Sequence, residues 1–219
     1  MSITSIKKRA RAGTLDVEHL LKEAIHPSSA LADAIDALSV ELGWRDAGVS
    51  EHGNPIVPMS TWAKVVSIYC REGYGGLIRI SDDASLAPFV IGLLEELKTA
   101  EALDALCLAF KRHLDEPCQG GKIAFRIASA LNLMLSFKPA LAVDSIRAAA
   151  LRTFLCTLYG CADSEAQRAT ALLALRGIGD ENNAGFAVSK RLRSPWQDVP
   201  RLVAKHIRKR LAAEAKQHV

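Results

Sequence analysis

"SEAQRATALLALRGIGDENNAGFAV", residues 164–188, is the stretch from which the rest of the chain is read. Ser164 and Gln167 stand three residues apart, the spacing at which hydroxyl and amide satisfy each other's orphan backbone donors at a helix start. Ala169, Ala171, Leu172, Ala174 and Leu175 then repeat at helical spacing. Gly177 and Gly179 are predicted to end that helix in the left-handed conformation, and a second helical pattern begins at once. Two short helices with one apolar face each, joined by a tight turn, can bury those faces only against neighbours. The stretch therefore predicts one rung of a stacked helical scaffold rather than an enzyme's catalytic loop.

The same periodicity extends outward. Trp62, Val65, Val66 and Tyr69 recur at i, i+3, i+4 and i+7, as do Leu86, Phe89, Val90, Leu93 and Leu97, then Leu103, Leu106, Cys107, Phe110 and Leu114. Ile123, Ile127, Ala130, Leu131 and Met134 form another stripe, and Leu151, Phe154, Leu155 and Leu158 the next. Leu31, Ile35, Leu38 and Leu42 form a shorter one. Thr99 is placed to cap a helix from about 100, and Pro88 falls in a first turn, where no intrahelical donor is needed. Asp82 and Asp83 read as cap and dipole complement for the helix after them. The one strand candidate, Leu77 to Ile80 after Tyr74-Gly75-Gly76, is too short to make a sheet. The predicted fold class is all-α.

From about residue 85 the helices fall into antiparallel pairs: 85–97 with 100–114, 121–137 with 143–159, and 164–176 with 181–192. Their starts lie 36 and 43 residues apart, close to the period of roughly 40 to 47 of HEAT repeats. Arg168-Ala169, Ala171, Leu172, Ala174-Leu175 and Ile178-Gly179-Asp180 resemble the HEAT-like pattern of an alanine-rich helix ending in an isoleucine-glycine-aspartate turn. The resemblance covers about 25 residues, and the other pairs lack the glycine-aspartate turn. It implies a short HEAT-like solenoid in which Ala169 permits close helix contact, Gly179 turns the chain and Asp180 caps the next helix. An irregular helical bundle is the competing architecture. HEAT-like scaffolds include adaptors, lyases acting on pigments and DNA glycosylases that remove alkylated bases. No active-site residue of these matches a position here, and a shared fold does not identify a function. The expected organisation is residues 1–58, N-terminal helices and an interaction loop, followed by 59–219, a helical-repeat body with a basic C-terminal helix, in one continuous domain.

Hydrophobic residues make up 49% of the 219, enough for a buried core and far from disordered composition. No apolar run is long enough to span a membrane, and the basic N-terminus has no apolar stretch behind it, so neither secretion nor membrane insertion is expected. Five cysteines, Cys70, Cys107, Cys118, Cys156 and Cys161, lack metal-site spacing. They are expected to be reduced and structural, which places the chain in the cytoplasm. Charge is segregated. Residues 1–11 carry Lys7, Lys8, Arg9 and Arg11 without an acid, residues 188–219 carry nine Lys or Arg against two acids, and the stretch between must hold −7 to leave the total at +4.

Two regions are candidate sites. Residues 43–58, GWRDAGVSEHGNPIVP, mix Trp44, Arg45, Asp46, Glu51 and His52 with glycines and prolines, as binding loops do. The plainer reading has Trp44 closing the preceding helix and the remainder as solvated connector. The C-terminal helix sets Val199, Val203, Ile207 and Leu211 opposite Arg201, Lys205, Arg208 and Lys209. That basic face suits nucleic-acid phosphates, or serves only as the polar outer face of a terminal helix. Glu51-His52 and Asp82-Asp83 have no nucleophile beside them, and Gly75-Gly76 and Gly177-x-Gly179 lack the flanks of a phosphate loop. No catalytic residue, metal site or cofactor is expected. The expected function is a non-enzymatic scaffold for a protein partner, such as an adaptor or a toxin-neutralising immunity protein, without membrane association. A nucleic-acid-binding helical-repeat protein, base-processing or not, is the alternative.

Overall fold

A computed structural model describes residues 3–44, 48–49, 55–56, 59–137 and 145–217. The helices among them are α1 (Ile3–Arg11), α2 (Val17–Ala24), α3 (Ser29–Glu41), α4 (Met59–Ile80), α5 (Ala87–Leu97), α6 (Ala100–Ala109), α7 (Lys111–Asp115), α8 (Gly121–Phe137), α9 (Ser145–Gly160), α10 (Glu165–Ala174), α11 (Glu181–Ser189) and α12 (Val199–Gln217). A single 3-10 turn, Leu175–Gly177, follows α10. The only extended pairing among the described residues is two residues on each side, β1 (Gly48–Val49) antiparallel to β2 (Pro55–Ile56), with Gly48 opposite Ile56. The fold is all-helical, and the strand candidate Leu77 to Ile80 forms the last turn of α4.

The chain divides into two compact units. One comprises Met1–Leu97 with Asp104–Ala109, the other Lys98–Leu103 with Phe110–Val219, so that α6 contributes to both. Within the first unit α3 packs along α4.

In the first unit α4 also packs on α2 and α5, and α1 on α3. Leu20, Ile35, Leu38, Val65, Val66 and Leu77 are fully buried there. The expected stripe of α3 holds except at its end, where Leu42 stands at the surface. Helix α4 is bent at Gly73, whose φ of 62° and ψ of −151° lie outside helical space. Only glycine adopts that conformation without strain. Leu77 and Ile80, after the bend, are buried. Asp83 does not cap α5 directly. Its carboxylate closes a turn by accepting from the Ser85 amide at 2.8 Å and the Ser85 hydroxyl at 2.6 Å, and α5 begins four residues on with Pro88 in its first turn.

In the second unit α10 packs against both α8 and α9, the 3-10 turn against α8 and α12, and α11 against α12. Phe110, Phe154, Ile127, Leu131, Leu155 and Leu172 make its core. The expected caps form. Ser164 and Gln167 make a reciprocal capping box, Asp180 makes another with Asn183, and the Thr99 hydroxyl accepts from the Ala102 amide at 3.1 Å. Gly177 and Gly179, in contrast, do not take the left-handed conformation. They are required by close approach: a Cβ on Gly177 would lie 2.6 Å from the Leu135 backbone, and one on Gly179 2.7 Å from the Ile207 side chain. Cys118 and Cys161 form a disulfide, with Cα atoms 5.3 Å apart, joining the start of the α7–α8 connection to the end of α9. The expectation that every cysteine is reduced is corrected by this pair. The cysteine argument for a cytoplasmic location goes with it, since reducing compartments disfavour such bonds.

Candidate interaction surfaces

Helix α3 stops by a backbone device. Gly43, at φ 56°, donates its N–H to Val40 O at 3.3 Å, while the Trp44 N–H donates to Ser39 O at 3.2 Å. This is the paired closure that satisfies the last carbonyls of a helix. Trp44, half-buried, thus does close the preceding helix, and its ring stands where the candidate binding loop departs. Arg45, Asp46, Glu51 and His52 lie outside the described residues.

Next to this helix end, α3 and α4 leave a cleft of about 390 Å³ between them. Asp36, Ser39 and Val40 line it from α3, and Ala63, Lys64, Ser67, Ile68 and Arg71 from α4. Val40 on its rim is 84% exposed, the largest exposure of any bulky apolar side chain in the described residues. Serine and alanine at the facing positions keep the walls low, so the groove stays open where larger side chains would fill it. Arg71 forms one wall by bridging Asp33 at 2.8 Å and Asp36 at 2.7 Å while donating to the Ser67 hydroxyl at 2.7 Å. Lys64 stands exposed two turns before Arg71 on the same α4 wall, and with Asp36 facing them from α3 the groove carries both signs of charge. Sequence reasoning missed this cleft. Its one legible signal is Val40, an apolar residue at the end of α3 that lies off the Leu31, Ile35, Leu38 stripe.

The second surface is α12. Val203, Ala204 and Ile207 are buried and Arg201, Lys205, Arg208 and Lys209 are exposed, as the periodicity predicts. Arg208 meets Glu181 of α11 at 2.8 Å, with both side chains more than half exposed. Arg210, on the packed side, donates to the carbonyls of Arg176 and Gly179 and pairs with Glu214 at 2.6 Å. This arginine fastens α12 to the glycine turn, a role the residue pattern did not reveal. The basic residues at the two ends of the chain belong to different units, α1 to the first and α12 to the second.

Burial pushes the Cys70 and Cys156 thiols up, so neither is held as a thiolate nucleophile. Cys156 receives a weak hydrogen bond from the Asn183 amide at 3.5 Å, and Lys190 covers the Phe186 ring at 4.1 Å, closing that region of α9 and α11. Among the described residues no group of three or more His, Cys, Asp or Glu side chains is arranged to hold a metal ion. None of their helices is long and apolar enough to cross a membrane. No protein family, curated protein or solved structure matches this chain.

Proposed function

We propose that the chain is a non-enzymatic helical scaffold that holds a protein partner along the α3–α4 cleft and the loop leaving Trp44. The observation that carries this reading is the open cleft with Val40 on its rim, next to the stretch whose composition already suggested binding. An amphipathic helix laid into it would bury an apolar side against Val40, Ala63 and Ile68, with polar flanks meeting Lys64 and the Arg71–Asp36 pair. The net −7 between the two basic ends favours a basic partner, because opposite charge speeds encounter and rejects wrong partners. An adaptor or a toxin-neutralising immunity protein fits this description. The second unit supplies the frame as a short HEAT-like stack, a reading supported by the buried Ala169, the Asp180 cap and the packing of α10 on both α8 and α9.

A photo-crosslinking residue in place of Val40 in the full chain tests the reading in cells. One defined partner should be captured, should rebind the purified chain at fixed stoichiometry, and should lose at least tenfold in affinity to Trp44→Ala with Arg45→Ala. Absence of any captured protein, together with no effect of the double substitution, would refute it.

A further inference from the structure

The outer face of α12 lies in the other unit and does not depend on the protein-partner reading. At about 100° per residue, Arg201, Lys205, Arg208, Lys209 and Lys216 fall in one stripe roughly 100° wide, and all five are exposed. The single acid of α12, Glu214, lies off that stripe against Arg210. A terminal helix that needs only a wettable outer face gains nothing from excluding one sign of charge. Here one sign is excluded throughout.

The opposite face decides which polyanion the stripe suits. A basic helix binds a lipid surface by sinking its apolar side into the headgroup boundary. In this fold that side, Val203, Ala204 and Ile207, is already buried against the rest of its unit. Of the bulky apolar residues on α12, Leu202 alone is prominently exposed. What remains available is charge at regular intervals: Arg201, Lys205 and Lys209 follow one another at about 6 Å along the axis, a spacing suited to successive anionic groups of a polymer. Arg208 is held by an exposed pair with Glu181, which water and salt weaken, so its guanidinium can pass to a competing anion.

We propose that the α12 stripe binds the phosphodiester backbone of a nucleic acid. The stripe holds no Asn, Gln or aromatic side chain with which to read or stack on a base. Arg and Lys can also reach guanine edges in a groove, but even spacing along the axis matches a run of phosphates, and phosphate contacts position a strand without specifying sequence.

The test is fluorescence anisotropy with the full chain, using a short duplex and a short single strand, each in two unrelated sequences, from about 50 to 200 mM salt. Expected are equal affinities for the two sequences and a linear fall of log K with log salt, of slope about −3.6 to −4.5 for four or five phosphates on a duplex. Lys205→Gln with Lys209→Gln should reduce that slope by about two and weaken binding tenfold or more at the higher salt. Lys205→Arg with Lys209→Arg should retain both. The side chains are exposed, and circular dichroism checks that the variants keep their helices. The duplex and single-strand arms tell which form of the backbone fits better. No binding at the lowest salt would overturn the proposal, as would a slope unmoved by the glutamine pair. So would tighter binding to phosphatidylserine vesicles or to poly-glutamate than to either nucleic acid.

Discussion

Gly73 in the middle of α4 and Gly177 after α10 both interrupt a helix, and both stand near a second glycine, yet the interruptions have different physical causes. Gly73 has open space around the position of a Cβ and a backbone conformation that L side chains avoid. Gly177 has an ordinary backbone and no space, because the Leu135 main chain comes within 2.6 Å of where a Cβ would be. One glycine is required by its own φ and ψ, the other by a helix more than 40 residues earlier in the chain. A glycine read in a sequence therefore carries two meanings, and only one of them is local.

The comparison extends to how each unit is fastened. The second unit has a covalent link between Cys118 and Cys161, while in the first the described links are packing and exposed ion pairs such as Arg11 with Glu41 at 2.8 Å. Cys118→Ser with Cys161→Ser should lower the stability of the second unit by about 2–4 kcal/mol, the range usual for a disulfide, with loop closure over this separation giving the upper end. Hydrogen exchange of each unit with and without a thiol reductant measures it. An equal loss in both units would break the contrast.

Gly177→Ala comes next in size. Forcing a methyl against the Leu135 backbone should cost about 1–3 kcal/mol, seen as a shift in the denaturant midpoint without change of slope. Asp180→Ala removes the cap of α11 and the carboxylate that pairs with Arg152 at 3.2 Å, at a cost of about 1 kcal/mol. Smaller and opposite in sign is Gly75→Ala in α4. There is open space at that Cβ and no left-handed φ, so the substitution should stabilise the first unit by about 0.5–1 kcal/mol. Destabilisation at Gly75 would show that the run after the bend is packed in the way the Gly177 turn is.

Acid should erode both units. Backbone donation from the Arg193 N–H, and then the Arg168 guanidinium, lower the Glu165 carboxyl below its ordinary range in the second unit. In the first unit the Ser85 hydroxyl lowers Asp83, and the Arg11 guanidinium lowers Glu41. A carboxylate held lower in the folded state contributes stability above its unfolded value, near 4, and loses it as pH falls through the folded value. Unfolding followed by pH should therefore be level from neutral to about 5 and fall below about 4. Glu165→Gln should flatten only the part belonging to the second unit.

Most helix positions from residue 59 onward were legible because apolar periodicity and end signals are local: Ser164, Thr99 and Asp180 act within three residues of themselves. The exceptions are the Leu77 to Ile80 strand candidate, which is helical, and the expected 100–114 helix, which breaks at Phe110 into α6 and α7. The expected 164–176 helix ends in a 3-10 turn for the same reason that Gly177 is there, the approach of α8. Of the candidate binding loop, Trp44 is in place at the helix end, and the cleft next to it was not legible because a groove consists of the space between α3 and α4. The basic face of α12 was readable as a face, since 3.6 residues per turn fix which side chains share a side.

By itself, then, the sequence determined that the chain is helical, where most helices begin, and which residues of each helix share a stripe, all consequences of hydrogen bonds and side chains within a few residues. Tertiary structure alone decided that Cys118 meets Cys161, that Gly177 must lack a side chain, that α3 and α4 leave a cleft at Val40, and that the apolar side of α12 is occupied. Each of these depends on which distant segment comes near, and that is set by the packing of the whole unit rather than by the order of neighbouring residues.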